Sequence, residues 1–92
     1  MVEFDWDEEK NRLNRAKHAI DFSIAAWVFR DPRWCGWEDR SMDYGEARLV
    51  AVGYAGIRLV TVVYTERDSK IRIISARKAS PNERHRYEED RR

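Results

Sequence analysis

The chain reads as an α+β domain, with two helices packed on one face of a small, mostly antiparallel sheet and a third helix at the C-terminal end. The predicted order is β-α-α-β-β-β-α, and three observations lead to it. Arg48–Tyr54, Ile57–Glu66 and Lys70–Lys78 are β-rich runs divided by short turn signals. Residues 10–29 carry apolar side chains at helical period. Ser80-Pro81-Asn82-Glu83 is an S-x-x-E capping box with proline in the first helical position. The 92 residues fit one domain spanning 1–92, large enough for a single core without staples.

Each element has its own warrant. Val2-Glu3-Phe4-Asp5-Trp6 alternates apolar and acidic residues, as a short edge strand does. Asp7 caps the helix that follows, with Glu8 and Glu9 favourable in its first turn. Leu13, Ala16 and Ile20 form that helix's apolar stripe, and Lys10, Asn14 and Lys17 its polar one. A second helix starts at Asp21, turns Phe22, Ala25, Ala26 and Phe29 inward, and stops at Asp31-Pro32. Residues 31–47 hold two tryptophans and two glycines without a clean period, so they read as a long loop. Ala55-Gly56 turns a hairpin, and Arg67-Asp68-Ser69 turns into the last strand of a meander. The last helix, about residues 81–90, is Arg/Glu-laced with few apolar anchors, so it is expected to fray or to dock on a partner.

Composition narrows the setting. The net charge is +1, yet residues 1–66 carry 9 Lys+Arg against 12 Asp+Glu, while residues 67–92 carry 9 against 5. Arginine outnumbers lysine 14 to 4, which favours the planar fork that grips phosphate or carboxylate bidentately. The single cysteine, Cys35, excludes an internal disulfide and suggests a reducing compartment; we read it as an incidental thiol. No apolar run is long enough for a membrane helix, and the acidic N-terminus is no signal peptide, so a cytoplasmic location without membrane contact is expected. No Cys-x-x-Cys, His-Glu-x-x-His or phosphate-cradling glycine loop occurs, so no metal site and no cofactor are expected.

The chemistry concentrates in Lys70–Ser80. A central strand should be nearly all apolar, because burying an unpaired guanidinium costs several kcal/mol. Arg72 and Arg77 therefore face an anion, either internal carboxylates or a bound phosphate backbone. Five positions apart on one strand, they are expected on opposite faces unless a bulge re-aims one. Arg77 lies beside the helix start at Ser80 and is the better phosphate ligand. Arg72 is expected to pair with a carboxylate such as Glu66 or Glu46. Lys17-His18 closes the first helix. The pair either complements the helix C-terminus or supplies a histidine for general acid/base work. Tyr87, one turn after Glu83, reads first as the hydrophobic anchor of the last helix.

Phe4-Asp5-Trp6-Asp7-Glu8-Glu9-Lys10, with Asn14, Lys17-His18 and Phe22, resembles the N-terminal signature of the BrnT toxins. Val62-Val63-Tyr64-Thr65, Ile71-Arg72-Ile73-Ile74-Ser75-Ala76-Arg77, Glu83-Arg84 and Tyr87-Glu88 resemble the C-terminal one. The resemblance spans roughly residues 4–29 and 46–89. It implies a RelE-like ribonuclease fold and a type II toxin that inhibits translation and growth. It also implies neutralisation by a ribbon-helix-helix antitoxin in a heterotetramer, with operator DNA contacted only through that antitoxin. Ala19 stands where a glycine usually follows Lys-His, so a left-handed turn there would cost about 1 kcal/mol.

The resulting expectation is a metal-independent endoribonuclease in which the ribose 2′-hydroxyl of an RNA substrate attacks the adjacent phosphate. His18 manages protons, Arg77 clamps the transition state with Arg72 second, and Lys17 assists. Arg67 and, more weakly, Arg48 position the backbone, and Tyr87 completes the substrate-binding set. Trp34 or Trp37 would stack on bases. Arg77→Ala is expected to abolish toxicity with the fold intact. The alternative from another class is a non-catalytic, toxin-like module that only holds an antitoxin or regulator.

Overall fold

The computed structural model describes residues 2–39 and 47–90. Five strands form one sheet: β1 Glu3–Trp6, β2 Cys35–Asp39, β3 Arg48–Ala55, β4 Arg58–Arg67 and β5 Lys70–Lys78, in the spatial order β1-β5-β4-β3-β2. Only β1 runs parallel to its neighbour, pairing Asp5 with Arg72 and Trp6 with Ile73; the other pairs are antiparallel. The helices are α1 Glu8–His18, the short α2 Phe22–Ala25 and α3 Pro81–Glu89. A 3-10 turn, Ala26–Arg30, continues α2, so the second predicted helix is a composite of two short pieces.

β2 corrects the predicted order, since it arises inside the stretch read as loop. Cys35 and Trp37 face the same way, and the strand pairs with β3 from Cys35 opposite Val52 to Asp39 opposite Arg48. Gly36 is required there. A Cβ would stand 2.7 Å from the Val50 carbonyl oxygen and 2.9 Å from the Trp34 ring.

One face of the sheet carries the larger core. Ile20, Phe22, Ala25 and Val28 pack on Ala51, Ala55, Val60, Val62, Tyr64, Ile73 and Ala76. The apolar stripe predicted for α1 is only partly right. Ile20 is buried just beyond the helix, but Leu13 is 53% exposed and Ala16 faces solvent, while Asn11 and Asn14 are buried. The reason is backbone satisfaction rather than hydrophobicity. Asn14 donates to the carbonyls of Ile20 and Ala76 (both 2.9 Å) and accepts from the Ala76 N–H (3.1 Å). Asn11 accepts from the Phe22 N–H at 2.9 Å. Two asparagines thus fix the end of α1 on β5 and the start of α2, supplying partners that buried backbone groups require.

α1 ends in a left-handed residue, Ala19, at the position where the resembled family usually has a glycine. Ala19 has φ 59 and ψ 31, and its N–H reaches the Arg15 carbonyl at 2.9 Å. A Cβ makes that conformation unfavourable. Ala19→Gly is therefore expected to raise stability by about 0.5–1 kcal/mol in urea unfolding; unchanged or lowered stability would contradict this reading.

The opposite face holds a second, smaller cluster of Val52, Leu59, Ala79 and Tyr87, flanked by Cys35 and Trp37. α3 thus docks on its own sheet instead of waiting for a partner. Tyr87 is its anchor, and the capping box fixes its start: Ser80 accepts from the Glu83 N–H and Glu83 from the Ser80 N–H. The Tyr87 hydroxyl donates to Asp31 at 2.7 Å, and Asp31 also accepts from the N–H groups of Tyr54 and Arg33, each at 2.9 Å. Burial alone would raise the Asp31 carboxyl, but these three donors hold it below the ordinary carboxylate range. The Tyr87 phenol is pushed up to about 12 by burial and by the adjacent carboxylate.

A bulge in β5 overturns the expected split of its arginines. Val63 opposes Ser75 but Tyr64 opposes Ile73, leaving Ile74 as the extra residue. Ile73 and Ala76, three apart, therefore both enter the larger core. Arg72, opposite Thr65, and Arg77, opposite Thr61, emerge together on the face that carries α3. Among the described residues, no helix is long and apolar enough to cross a membrane.

Candidate nucleic-acid interface

The two strand arginines are answered from within. Arg72 Nη1 donates to Asp5 Oδ2 at 2.8 Å, so its partner is the neighbour that parallel pairing supplies rather than Glu66; Glu46 lies outside the described residues. Arg77 grips Glu83 with both Nη atoms, each contact 2.7 Å. Glu83 also accepts from the Thr61 hydroxyl (2.9 Å) and the Ser80 N–H (2.8 Å). Its side chain is only 14% exposed. Burial would raise that carboxyl, yet Arg77, Ser80 and Thr61 bring it down to about 2. The guanidinium of Arg77 is correspondingly harder to deprotonate because Glu83 accepts from it. Arg77 is thus part of the clasp between β5, β4 and α3.

The other predicted site residues fall into two groups. Arg48, Arg67 and Arg72 belong to the end of the sheet where β4 turns into β5. That turn holds Asp68 and Ser69 at φ 54 and 65, as a two-residue hairpin with two left-handed positions demands. Lys17 and His18 close α1 at the other end, over the face opposite Arg77. Six residue steps of strand from Arg72 to Lys78 correspond to roughly 20 Å, so one compact site does not contain both groups. Tyr87 is 8% exposed and bonded to Asp31, which makes it a packing residue. Trp37 lies under the Arg86 guanidinium at 3.7 Å, so a cation already covers one of its faces, while Trp34 meets Phe29 edge-on at 5.2 Å and stays 37% exposed. Burial pushes the Cys35 thiol up, which suits an unreactive side chain. Among the described residues, no three His, Cys, Asp or Glu side chains converge as metal ligands would.

What does converge, at the end of the sheet where β3 turns into β4, is unneutralised positive charge. Four arginines elsewhere are paired, Arg12 with Glu9, Arg15 with Asp21, Arg72 with Asp5 and Arg77 with Glu83, while Arg30 and Arg86 lie over the Trp27 and Trp37 rings. Lys17, His18, Arg58, Lys78 and Arg84 have no carboxylate partner among the described residues. Arg58 opens β4, Lys78 closes β5 and Arg84 lies in the first turn of α3. With Ile20, Ile57, Leu59 and Val60, these three line a cavity of about 270 Å³. Arg58 Nη1 reaches the Ala19 carbonyl at 3.5 Å, which brings the cavity to the residue after His18. Sequence reasoning missed Arg58, Lys78 and Arg84 because they lie on three separate elements. The available signal was position, since each stands at an element end on the side where the meander's β3–β4 turn falls.

The architecture is an α+β protein whose five-stranded, mostly antiparallel sheet is flanked on both faces by helices. The match to the model for the ribonuclease toxin BrnT of type II toxin-antitoxin systems covers residues 6–83, and the chain belongs to that family. It is similar to the crystal structure of the Brucella abortus ribonuclease toxin BrnT, with 26% identity and a TM-score of 0.68 over 87% of this chain and 99% of that one. No protein of curated function matches. Membership of a type II system implies a cognate antitoxin.

Proposed function

We propose that this chain is a RelE-like endoribonuclease toxin that cleaves RNA without metal, and thereby arrests translation and growth in the cytoplasm until a ribbon-helix-helix antitoxin neutralises it in a heterotetramer. Operator DNA would be reached only through that antitoxin. The observation that carries the reading is a cavity lined by Arg58, Lys78 and Arg84, without carboxylate partners among the described residues, that Arg58 links through the Ala19 carbonyl to the end of α1 carrying Lys17 and His18, in a ribonuclease-family fold. The 2′-oxygen attacks phosphorus as His18 takes its proton, and the P–O5′ bond breaks as a cationic neighbour such as Lys17 protonates the leaving oxygen. A 2′,3′-cyclic phosphate and a 5′-hydroxyl result. Fixed cations stabilise the phosphorane, a role that electrostatic preorganisation fits. Arg77 acts here as a positioning residue, holding the first turn of α3 through Glu83, rather than as the transition-state clamp. Arg72, paired with Asp5, is likewise structural, and Arg48 and Arg67 lie away from the chemistry.

Toxin freed of antitoxin is expected to degrade RNA in excess EDTA, and His18→Ala to slow cleavage about 10²-fold or more. Complete dependence on added Mg²⁺ would sink the metal-free mechanism, and an unslowed His18→Ala would move the general base elsewhere. Harmless expression of a chain that still binds its antitoxin would favour the non-catalytic module.

A further inference from the structure

We infer that the cavity walled by Arg58, Lys78 and Arg84 is a backbone-phosphate subsite that seats the RNA strand alongside His18. The inference rests on the ribonuclease reading for its ligand, but its geometry is independent of the chemistry. The floor is apolar and buried: Ile20, Leu59 and Val60 are each no more than 2% exposed. Nothing on that floor neutralises the three cations around it. Arg58 and Arg84 each make one long contact, to the Ala19 carbonyl and the Tyr54 hydroxyl, both at 3.5 Å. The rest of each guanidinium fork is left for a ligand, and Lys78 has no partner among the described residues.

Three like charges gathered around one concavity repel one another and focus a positive potential into it, a cost that an anion relieves. On the strand and helix beside it, Arg72, Arg15 and Arg77 are answered by Asp5, Asp21 and Glu83. Here the chain supplies no such partner among the described residues. The cavity, about 270 Å³, is near the lower limit of ~300 Å³ for small-ligand sites, which suits a single nucleotide unit. Ile57, 96% exposed at the tip of the β3–β4 turn, adds an apolar lip against which a ribose or base face can rest. A phosphodiester flanked by apolar sugar and base matches this lining. Ile20 lies two residues after His18, and Arg58 reaches the Ala19 carbonyl, so a strand held here would lie at the end of α1 that carries the proposed general base.

The test is anisotropy of a 2′-O-methyl oligonucleotide, which lacks the nucleophile, with the purified chain free of antitoxin. Combined Arg58→Gln, Lys78→Gln and Arg84→Gln should weaken binding roughly tenfold or more and flatten the slope of log K against log salt by about 2, near 0.7 per lost phosphate contact. All three side chains reach solvent, so the fold should tolerate the changes. Arg84→Gln alone should flatten the slope by about 0.7 and provides the readout if the triple variant misfolds. Lys10→Gln, Arg12→Gln and Lys70→Gln together remove the same charge elsewhere and should leave the slope unchanged. An unchanged slope in the cavity variants overturns the subsite, as does equal flattening in the control, or intact oligonucleotide binding with antitoxin binding alone lost. A wild-type chain that binds in this pattern yet fails to cleave 2′-hydroxyl RNA would defeat the ribonuclease reading and leave the subsite standing.

Discussion

Asn14→Ala is expected to destabilise the chain by about 3–5 kcal/mol, because it strands the Ile20 carbonyl and both backbone groups of Ala76 in the interior. Ala76 is fully buried and Ile20 is 2% exposed, so water cannot replace the lost partners without opening the core. A chain of this length has total stability of roughly 5–14 kcal/mol, so the loss is a large fraction of the whole. Urea unfolding measures it directly, and a loss below 1 kcal/mol would show that α1 is held by something other than this asparagine. The consequence extends to function. Asn14 is one turn before His18 on the same helix, and its bonds to Ala76 fix that helix end over β5. Asn14→Ala should therefore lower cleavage even at temperatures where the chain remains folded.

The second large effect belongs to the Glu83 clasp. In the folded chain Glu83 ionises near pH 2 against an ordinary value of 4.5. A depressed folded value means that its stabilisation is complete above about pH 4.5 and is lost as the pH falls towards 2. The amount is about 2–3 kcal/mol, since one unit corresponds to about 1.4 kcal/mol and Arg77 is partly solvated. Glu83→Gln should remove most of this acid sensitivity and lower stability at neutral pH. A wild-type acid transition that is the same in Glu83→Gln would exclude the clasp as its origin. Arg77→Ala is now expected to destabilise by about 2 kcal/mol, since it leaves a carboxylate with 14% exposure facing no cation. Loss of toxicity in that variant, which the sequence alone would attribute to a missing phosphate ligand with the fold intact, must be read beside its melting curve.

How far the sequence was legible depended on whether a residue's role is local. The meander was readable because Ala55-Gly56 and Arg67-Asp68-Ser69 punctuate three β-rich runs, and α3 because its capping box is self-contained. β2 escaped because five residues alternating Cys35, Trp37 and Asp39 with Gly36 and Glu38 give no contrast beside Trp34. The α1 stripe was misjudged because hydrophobicity ranks Leu13 above Asn14, whereas the interior needed hydrogen-bond partners for Ala76. Parity placed Arg72 and Arg77 on opposite faces, and no residue type announces the bulge at Ile74 that brings them to one side. Their partners, Asp5 from a parallel edge strand and Glu83 from the capping box, were fixed by tertiary pairing. The cationic cavity was least visible of all, since Ile20, Arg58, Lys78 and Arg84 meet only after the sheet and three helices have assembled.

In the proposed mechanism, RNA meets the end of the sheet built by the close of α1, the β3–β4 turn and the start of α3, and not the internally paired arginines of β5. Backbone amide shift mapping of the labelled chain, titrated with a 2′-O-methyl oligonucleotide, tests this most directly. The largest shifts are expected at Lys17–Ile20, Ala55–Val60 and Lys78–Arg84, with Asp5 and Arg72 nearly still. Shifts centred on Arg48, Arg67 and Arg72, with Arg58, Lys78 and Arg84 unmoved, would contradict it.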